Sequence, residues 1–197
     1  MNPVITQIRR AAAVEVLTSV PARRVFAVIT FATLTAFSAH VSAPLPGTVV
    51  PVSLQTLAVL MSGLLLGPVL GAAAQTAYLM AGAAGLPVFA AGLGVPYLFG
   101  PTGGYLLAFP AAAAVAGAVA MHARGGVSVR AAVLTAAGAL AMLTIYAGGT
   151  AQLTLLTGDP GSALRMGVFP FIIGDLAKLV IAVVLALRIR NRTLTLL

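Results

Sequence analysis

An acid and a base three residues apart give this sequence its clearest chemical signal. Asp175 and Lys178 lie in the segment Gly174-Asp175-Leu176-Ala177-Lys178, within an otherwise apolar stretch. Residues i and i+3 of a helix share a face, and an ionisable group inside a membrane normally faces a cavity, a partner or a ligand. Two interpretations stay open. The pair neutralises itself as an internal ion pair, or the carboxylate accepts hydrogen bonds from ligand N–H groups while the ammonium holds a ligand oxygen.

A second polar group lies at the start of another apolar stretch and consists of Ser53-Leu54-Gln55-Thr56. A side-chain amide donates and accepts hydrogen bonds at once, so Gln55 suits a urea or amide ligand. Polar residues wetted at the membrane interface explain the same pattern. Tyr146 is a weaker signal, because tyrosine near a membrane boundary is commonly part of the aromatic belt.

The sequence lacks the residues that metal binding, ATP hydrolysis or enzymatic catalysis would need. The sequence has no cysteine, and its two histidines, His40 and His122, lie on different segments, so a zinc site is not expected. No G-x-x-x-x-G-K-[ST] motif is present, so any ATP hydrolysis must come from another chain. We expect no catalytic residue, no metal and no cofactor, and therefore no enzyme.

The composition requires lipid as the environment of these residues. Of the 197 residues, 60% are hydrophobic and 7% charged, and the mean hydropathy is +1.10, whereas soluble domains carry roughly 25% charged residues. This excludes a soluble enzyme, a disordered chain and a coiled coil. Because six spans of about 20 residues use about 120, we predict an all-α, polytopic membrane protein with six transmembrane helices.

Glycine, proline and charge divide the chain into these helices. We expect an N-terminal cytoplasmic segment, a six-helix domain and a cytoplasmic tail over residues 1–24, 25–190 and 191–197. The helices are expected near residues 25–41, 51–67, 68–85, 105–121, 131–152 and 168–187. The loop over residues 85–104 is long and apolar, which is typical of a binding loop or lid.

Most basic residues flank the apolar stretches. Nine of the eleven fall into three clusters: Arg9, Arg10, Arg23 and Arg24; Arg124 and Arg130; and Arg188, Arg190 and Arg192. With the N-terminus inside, all three clusters lie on the inner side, as the positive-inside bias requires. Both termini are therefore predicted to be cytoplasmic. The net charge of +8 indicates contact with a membrane surface and not with nucleic acid.

Several motifs together resemble one family. They are residues 51–60 (PVSLQTLAVL), 63–68 (GLLLGP), 85–89 (GLPVF), 100–105 (GPTGGY) and 174–178 (GDLAK). In this order they are similar to the BioY family, the biotin-binding S components of energy-coupling factor (ECF) vitamin transporters. The resemblance covers approximately residues 25–190.

The resemblance implies a multi-pass protein of the bacterial cytoplasmic membrane that captures biotin from outside. Its partners would be lipid, a transmembrane coupling protein and two cytoplasmic ATPase subunits. The family's sixth-helix motif assigns biotin binding to Asp175 and Lys178. Small residues of the first helix, here Ala32 and Ala36, would contact the coupling protein. We assign Gln55, Phe89 and Tyr146 to the pocket from their positions.

One feature departs from the family pattern. Members can carry a second basic side chain toward the ligand carboxylate, but no arginine or lysine lies between Arg24 and Arg124. Lys178 then holds that carboxylate alone, or a backbone N–H group or a water molecule shares it. Two alternatives stay open for function: an S component for another small vitamin, and a solitary facilitator or proton-coupled carrier in which Asp175 titrates.

Overall fold

The computed structural model describes residues 19–90 and 92–197. Within them the chain forms seven helices and two short strands: α1 (Val20–His40), β1 (Ser42–Ala43), β2 (Val52–Ser53), α2 (Gln55–Ala83), α3 (Gly94–Leu98), α4 (Gly103–Ala120), α5 (Val127–Thr157), α6 (Pro160–Gly167) and α7 (Ile172–Leu196). Most of the expected N-terminal segment lies outside these residues, and α1 begins five residues earlier than predicted.

Four of the described helices, α1, α2, α4 and α5, are long and apolar enough to cross a membrane. α6 and α7 meet at a bend of 54° and form a fifth candidate if they count as one span. The prediction of a helical, multi-pass membrane protein is therefore confirmed. Seven helices lie within the described part of the chain, where six were expected. Two connections contain the short helices α3 and α6, while α2 covers the second and third predicted helices.

α2 reverses its direction at Gly67. This residue has φ 82° and ψ −178°, a conformation that only glycine adopts readily, and Pro68 has no N–H to continue the helical ladder. A side-chain carbon on Gly71 would lie 2.9 Å from the Cα atom of Gly63, although eight residues of a straight helix span about 12 Å. The break expected at Gly67-Pro68 therefore joins two arms that pack against each other.

The helix expected to begin at Pro51 begins at Gln55. β2 pairs antiparallel with β1, with Ser53 opposite Ser42, and the Leu54 N–H donates to the carbonyl of residue 41 at 3.2 Å. These backbone bonds keep the chain around Pro51 extended. A pair of two-residue strands has no sequence periodicity to predict it.

Two other helices are longer than predicted. α5 covers Val127–Thr157 rather than residues 131–152, and α7 continues to Leu196 through the residues expected as a tail. Hydropathy indicates where a chain leaves lipid, but arginine is a good helix former. The helix therefore continues beyond its apolar part.

Small residues let α2 and α4 approach closely. Gly63 lies against Ala113 and Ala116 of α4, and Gly117 of α4 lies against Pro68 at the reversal of α2. Such contacts are the usual source of helix association in lipid. α4 therefore packs against both arms of α2 and fixes the frame around which α5 and α7 are placed.

α1 lies at the edge of the bundle, and Thr35 and Ala39 are its buried residues. A polar network ties it to both arms of α2. The Gln75 amide donates to Thr35 Oγ1 at 3.2 Å and to Ser62 Oγ at 3.0 Å. Several large apolar side chains of α1, including Phe26 and Phe37, are exposed, as expected for a face that contacts lipid.

Candidate ligand-binding site

The acid and the lysine of the sequence motif lie in the first two turns of α7. The helix begins at Ile172, after the bend from α6, and the Asp175 N–H donates to the Phe171 carbonyl at 2.8 Å. The carboxylate is therefore close to a helix N-terminus, where the helix dipole stabilises negative charge. A regular helix, rather than a mobile loop, holds both charged groups in place.

Asp175 and Lys178 form a buried ion pair. Lys178 Nζ lies 2.7 Å from Asp175 Oδ1, and the two residues are only 7% and 4% exposed. From α5, the Tyr146 hydroxyl donates to Asp175 Oδ2 at 2.7 Å. Each carboxylate oxygen thus accepts one short, charge-assisted hydrogen bond. The internal ion pair, one of the two interpretations of the motif, is present.

A cavity opens beside this pair. Its empty volume, which includes open space at its mouth, is about 590 Å³. Its walls come from β2, α2, the segment around α3, α4, α5 and α7, and are formed by Val50, Pro51, Ser53, Gln55, Thr56, Ala90, Tyr97, Thr102, Tyr105, Leu106, Phe109, Ile145, Tyr146, Phe171, Asp175 and Lys178. One acid and one base face a mostly apolar hollow, so the ion pair is accessible to a ligand.

The Gln55 side chain lies at the start of α2 and is held by two neighbours. Ser53 Oγ donates to its Oε1 at 3.0 Å, and its Nε2 donates to the Tyr78 hydroxyl at 2.8 Å. The strand pair places Ser53, which also accepts the Gln55 backbone N–H at 3.3 Å. An amide has two donor hydrogens and two acceptor lone pairs, so one of each is left for a ligand.

Four of the five predicted ligand residues line the cavity: Gln55, Tyr146, Asp175 and Lys178. Phe89 does not, and its assignment to the wall is corrected. Its ring stacks on Tyr97 at 5.2 Å between centroids and meets Tyr78 edge-on at 5.6 Å. The absence of a side chain at Gly82 makes room for the ring against α2. Phe89 therefore supports Tyr97, which is itself a wall residue.

Sequence reasoning missed several aromatic walls, above all Tyr105. This residue ends the GPTGGY motif, and its type and position in the sequence alone predict no role in a ligand site. Its ring lies against the bare backbone of Gly149, and its hydroxyl donates to the Gly167 carbonyl at 2.8 Å. Tyr105 thus joins α4 to α5 and α6 while facing the cavity.

The apolar loop expected over residues 85–104 covers one side of the cavity. Ala90, Tyr97 and Thr102 line the space. From α5, the Gln152 amide donates to the carbonyls of Leu98 and Gly100. These bonds satisfy backbone groups that would otherwise be exposed to an apolar environment, and they hold the loop against the helical bundle.

The two alanines of α1 lie away from this cavity. Ala32 and Ala36 are half-buried and line a separate groove between α1, Tyr78 and residues 86–88. At the end of this groove the His40 ring nitrogen lies 3.0 Å from the Pro87 carbonyl. The cavity beside Asp175 and the groove beside α1 are thus separate.

Comparison with known proteins identifies a family for this arrangement. The sequence model that describes the BioY family matches residues 10–195 of this chain. The "Probable biotin transporter BioY" of Pyrococcus horikoshii is 38% identical over 173 residues, covering 87% of this chain and 99% of that protein. The "Biotin transporter BioY" of Thermotoga maritima is 38% identical over 162 residues, covering 82% and 92%.

A solved structure shares the fold. It is the crystal structure of the S-component for biotin from an ECF-type ABC transporter, with a TM-score of 0.75 and 22% sequence identity. The match covers 87% of this chain and 92% of that one. The helical arrangement described above is therefore that of an S component.

Proposed function

The chain belongs to the BioY family, and on that premise we propose that it is the biotin-binding S component of an ECF-type transporter. Biotin is its cargo and not a cofactor. The observation that carries the proposal is the Asp175–Lys178 pair, which faces an apolar cavity together with the amide of Gln55. This combination suits a ligand with a polar urea at one end and an apolar body.

The geometry of the pair supports binding of the urea. Lys178 Nζ and Asp175 Oδ1 are 2.7 Å apart, so one small polar group can contact both. A urea N–H can donate to the carboxylate while the adjacent carbonyl accepts from the ammonium. A carboxylate offers about four acceptor sites and an ammonium three donors. The ligand can therefore add its hydrogen bonds without breaking those from Lys178 and Tyr146.

The ligand carboxylate then lies away from Lys178, because several methylene groups separate it from the urea. Among the described residues that line the cavity, Lys178 is the only one with a basic side chain. Near the start of α2, hydroxyl groups of Ser53 and Thr56 also line the cavity. We propose that hydroxyls and water hold the carboxylate. Such an arrangement needs no second basic side chain in the cavity.

Calorimetry on the purified chain in nanodiscs tests both parts of this proposal. We expect tight binding of biotin, weaker binding of desthiobiotin, which lacks the thioether ring, and none of thiamin. Biotinamide, in which the carboxylate is a neutral amide, should bind within a few fold of biotin. A loss of tenfold or more for biotinamide would place the carboxylate on Lys178 and contradict the pose. Binding of thiamin instead of biotin would contradict the vitamin assignment.

We further propose six membrane passages with both termini in the cytoplasm of a bacterial cell. The two arms of α2 count as two passages, and α1, α4, α5 and α7 supply the others. The described arginines other than Arg165 lie at the end of the bundle that contains the Gly67 reversal, in agreement with the positive-inside bias. The ligand cavity then opens outward. Cysteine labelling from each side, at residues 47 and 125, tests this orientation.

The proposed partners are the membrane coupling protein and two ATPase subunits of an ECF transporter. We propose that Ala32 and Ala36 form part of the contact with the coupling protein, because they leave a groove on a helix whose outer face is exposed. Small residues permit close helix approach in lipid. Uptake that persists in cells without ATPase partners and stops when the proton gradient collapses would instead establish a solitary carrier.

A further inference from the structure

A second cavity lies at the opposite end of the bundle from the ligand site. Its empty volume, which includes open space at its mouth, is about 1130 Å³. Its lining residues come from the reversal of α2, the connection from α4 to α5, and the last turns of α7: Leu66, Gly67, Pro68, Met121, Ala123, Arg124, Gly125, Arg130, Arg190, Asn191 and Leu194. Arg190 is twelve residues beyond Lys178 on α7, about 18 Å along a helix.

Three arginines line this space, and no described carboxylate side chain faces them. Arg124, Arg130 and Arg190 are the charged members of its lining. Within residues 19–90 and 92–197 the two aspartates are engaged elsewhere, Asp159 with Arg165 and Asp175 with Lys178. A cluster of cations without counter-charge is costly when partly desolvated. An anion in this cavity would relieve that cost.

Arg190 is buried and keeps free donors. It is 7% exposed, and its Nε donates to the Leu64 carbonyl at 2.9 Å. Its two terminal nitrogens have no acceptor among the described residues. Arg130 is held by a Leu187 carbonyl, 3.3 Å from its Nη2. Backbone carbonyls thus orient both guanidinium groups and leave N–H donors for an anion. The planar guanidinium of arginine presents these donors in an arrangement that matches the oxygens of a phosphate.

An apolar groove continues from the arginine cavity. Leu66, Pro68, Met121 and Leu194 line both spaces, and the groove goes on along Val69, Leu70 and Leu197, with Arg24 beside it. Val69 is 77% exposed. A free phosphate would use only the arginines. A molecule with an anionic head and an apolar chain would use both parts.

We propose that this cavity binds an anionic phospholipid, with its phosphate on Arg124, Arg130 and Arg190 and an acyl chain in the adjoining groove. Basic pockets between transmembrane helices on the cytoplasmic side are suited to such headgroups. The proposal depends on the proposed orientation, which places this end at the inner leaflet. It does not depend on the identity of the ligand in the outer cavity.

The test measures phosphatidylglycerol retained by the purified full chain, by native mass spectrometry and by titration in phosphatidylcholine nanodiscs. The variant Arg124→Gln with Arg130→Gln should weaken binding roughly thirtyfold, since each basic residue near an anionic headgroup contributes a few fold in affinity. Arg190 is left intact because it also binds the backbone of α2. The matched control is Arg188→Gln with Arg192→Gln, which removes the same charge from exposed positions outside the cavity.

The midpoints of thermal unfolding show whether both variants are folded, whatever the outer cavity binds. Calorimetry with biotin then keeps this proposal separate from the function of the outer cavity. The lipid site would be overturned if both variants lost phosphatidylglycerol binding equally. It would also be overturned if the wild-type chain retained phosphatidylcholine as well as phosphatidylglycerol. Competition by inorganic phosphate as effective as that by the lipid would make it a free-anion site. Normal lipid binding with lost co-purification of the coupling protein would assign the cavity to a protein partner.

Discussion

Removing the charges of Asp175 and Lys178 singly and together tests whether a ligand contacts them. In Asp175→Asn the ammonium of Lys178 loses its charged partner. In Lys178→Met the carboxylate of Asp175 loses its charged partner and keeps only the hydrogen bond from Tyr146. Breaking a buried pair in this way costs about 3–5 kcal/mol in the free energy of unfolding. The double variant leaves neither charge unpaired. We therefore expect it to be more stable than either single variant, measured by thermal unfolding in detergent.

Biotin binding should follow a different pattern from stability. Each single variant loses one charge-assisted hydrogen bond to the ligand, worth about 1.5–3 kcal/mol, or roughly a 10- to 150-fold increase in Kd. The double variant recovers stability but lacks both contacts, so its Kd should be at least as high as that of either single variant. Asp159→Asn is the control: it removes an exposed acid that pairs with Arg165 at 3.5 Å and does not line the cavity.

A double variant that binds biotin with the wild-type Kd would refute this reasoning. In that case the pair merely neutralises itself, and the ligand is held by other groups. If Lys178→Met alone keeps normal binding while Asp175→Asn loses it, the urea carbonyl does not contact the ammonium. The proposed pose would then be wrong even though the cavity is the binding site.

Three further changes test other parts of the molecule. Gly67→Val forces a side chain onto a residue with φ 82°, so we expect a loss of about 1–3 kcal/mol in stability and a lower midpoint of thermal unfolding; an unchanged midpoint would show that the reversal tolerates other residues. Ala32→Leu with Ala36→Leu should leave biotin affinity intact and abolish uptake in cells, and normal uptake would remove α1 from the docking surface. Hydrogen bonds from Ser162 and from backbone N–H groups of α6 lower the pKa of Asp159. Its stabilisation of α6 is therefore complete above the ordinary aspartate pKa and is lost as the pH falls through the lower folded value. After correction for the intrinsic pH dependence of amide exchange, the hydrogen-exchange protection in the first turn of α6 should decrease as the pH falls over that acidic range, and Asp159→Asn should remove this dependence.

The charged part of the site could be predicted because helix geometry alone brings it together. Asp175 and Lys178 are three residues apart, so any helix through them places both on one face, and lipid makes an unpaired charge costly. Gln55 and Tyr146 could be assigned because both lie near the outer ends of predicted helices. The reversal at Gly67 followed from a glycine–proline pair inside an apolar run.

The aromatic walls could not be predicted, because tertiary contacts decide them. Phe89 and Tyr97 both lie in a loop of 20 residues without periodicity. Tyr97 faces the cavity because Gln152 holds the loop from α5, and Phe89 is turned away into the space left by Gly82. Neither contact is visible in local sequence. The same holds for the β1–β2 pair, which moves the start of α2 to Gln55 and so fixes the position of its amide.

The distribution of charge separates the two ends of the bundle. At the end of the bundle that holds the cavity, each described acid has a basic partner. The charged residues that line the cavity therefore cancel, and burial largely protects their ion pair from salt. At the end that contains the Gly67 reversal, seven arginines of the described chain have no acidic side chain as a partner. On the proposed orientation, the arginine-rich end lies at the inner leaflet and attracts anionic partners, while we expect the cavity at the other end to select its ligand by hydrogen-bond geometry. Substitutions of Arg124 or Arg130 and of Asp175 should accordingly affect separate functions.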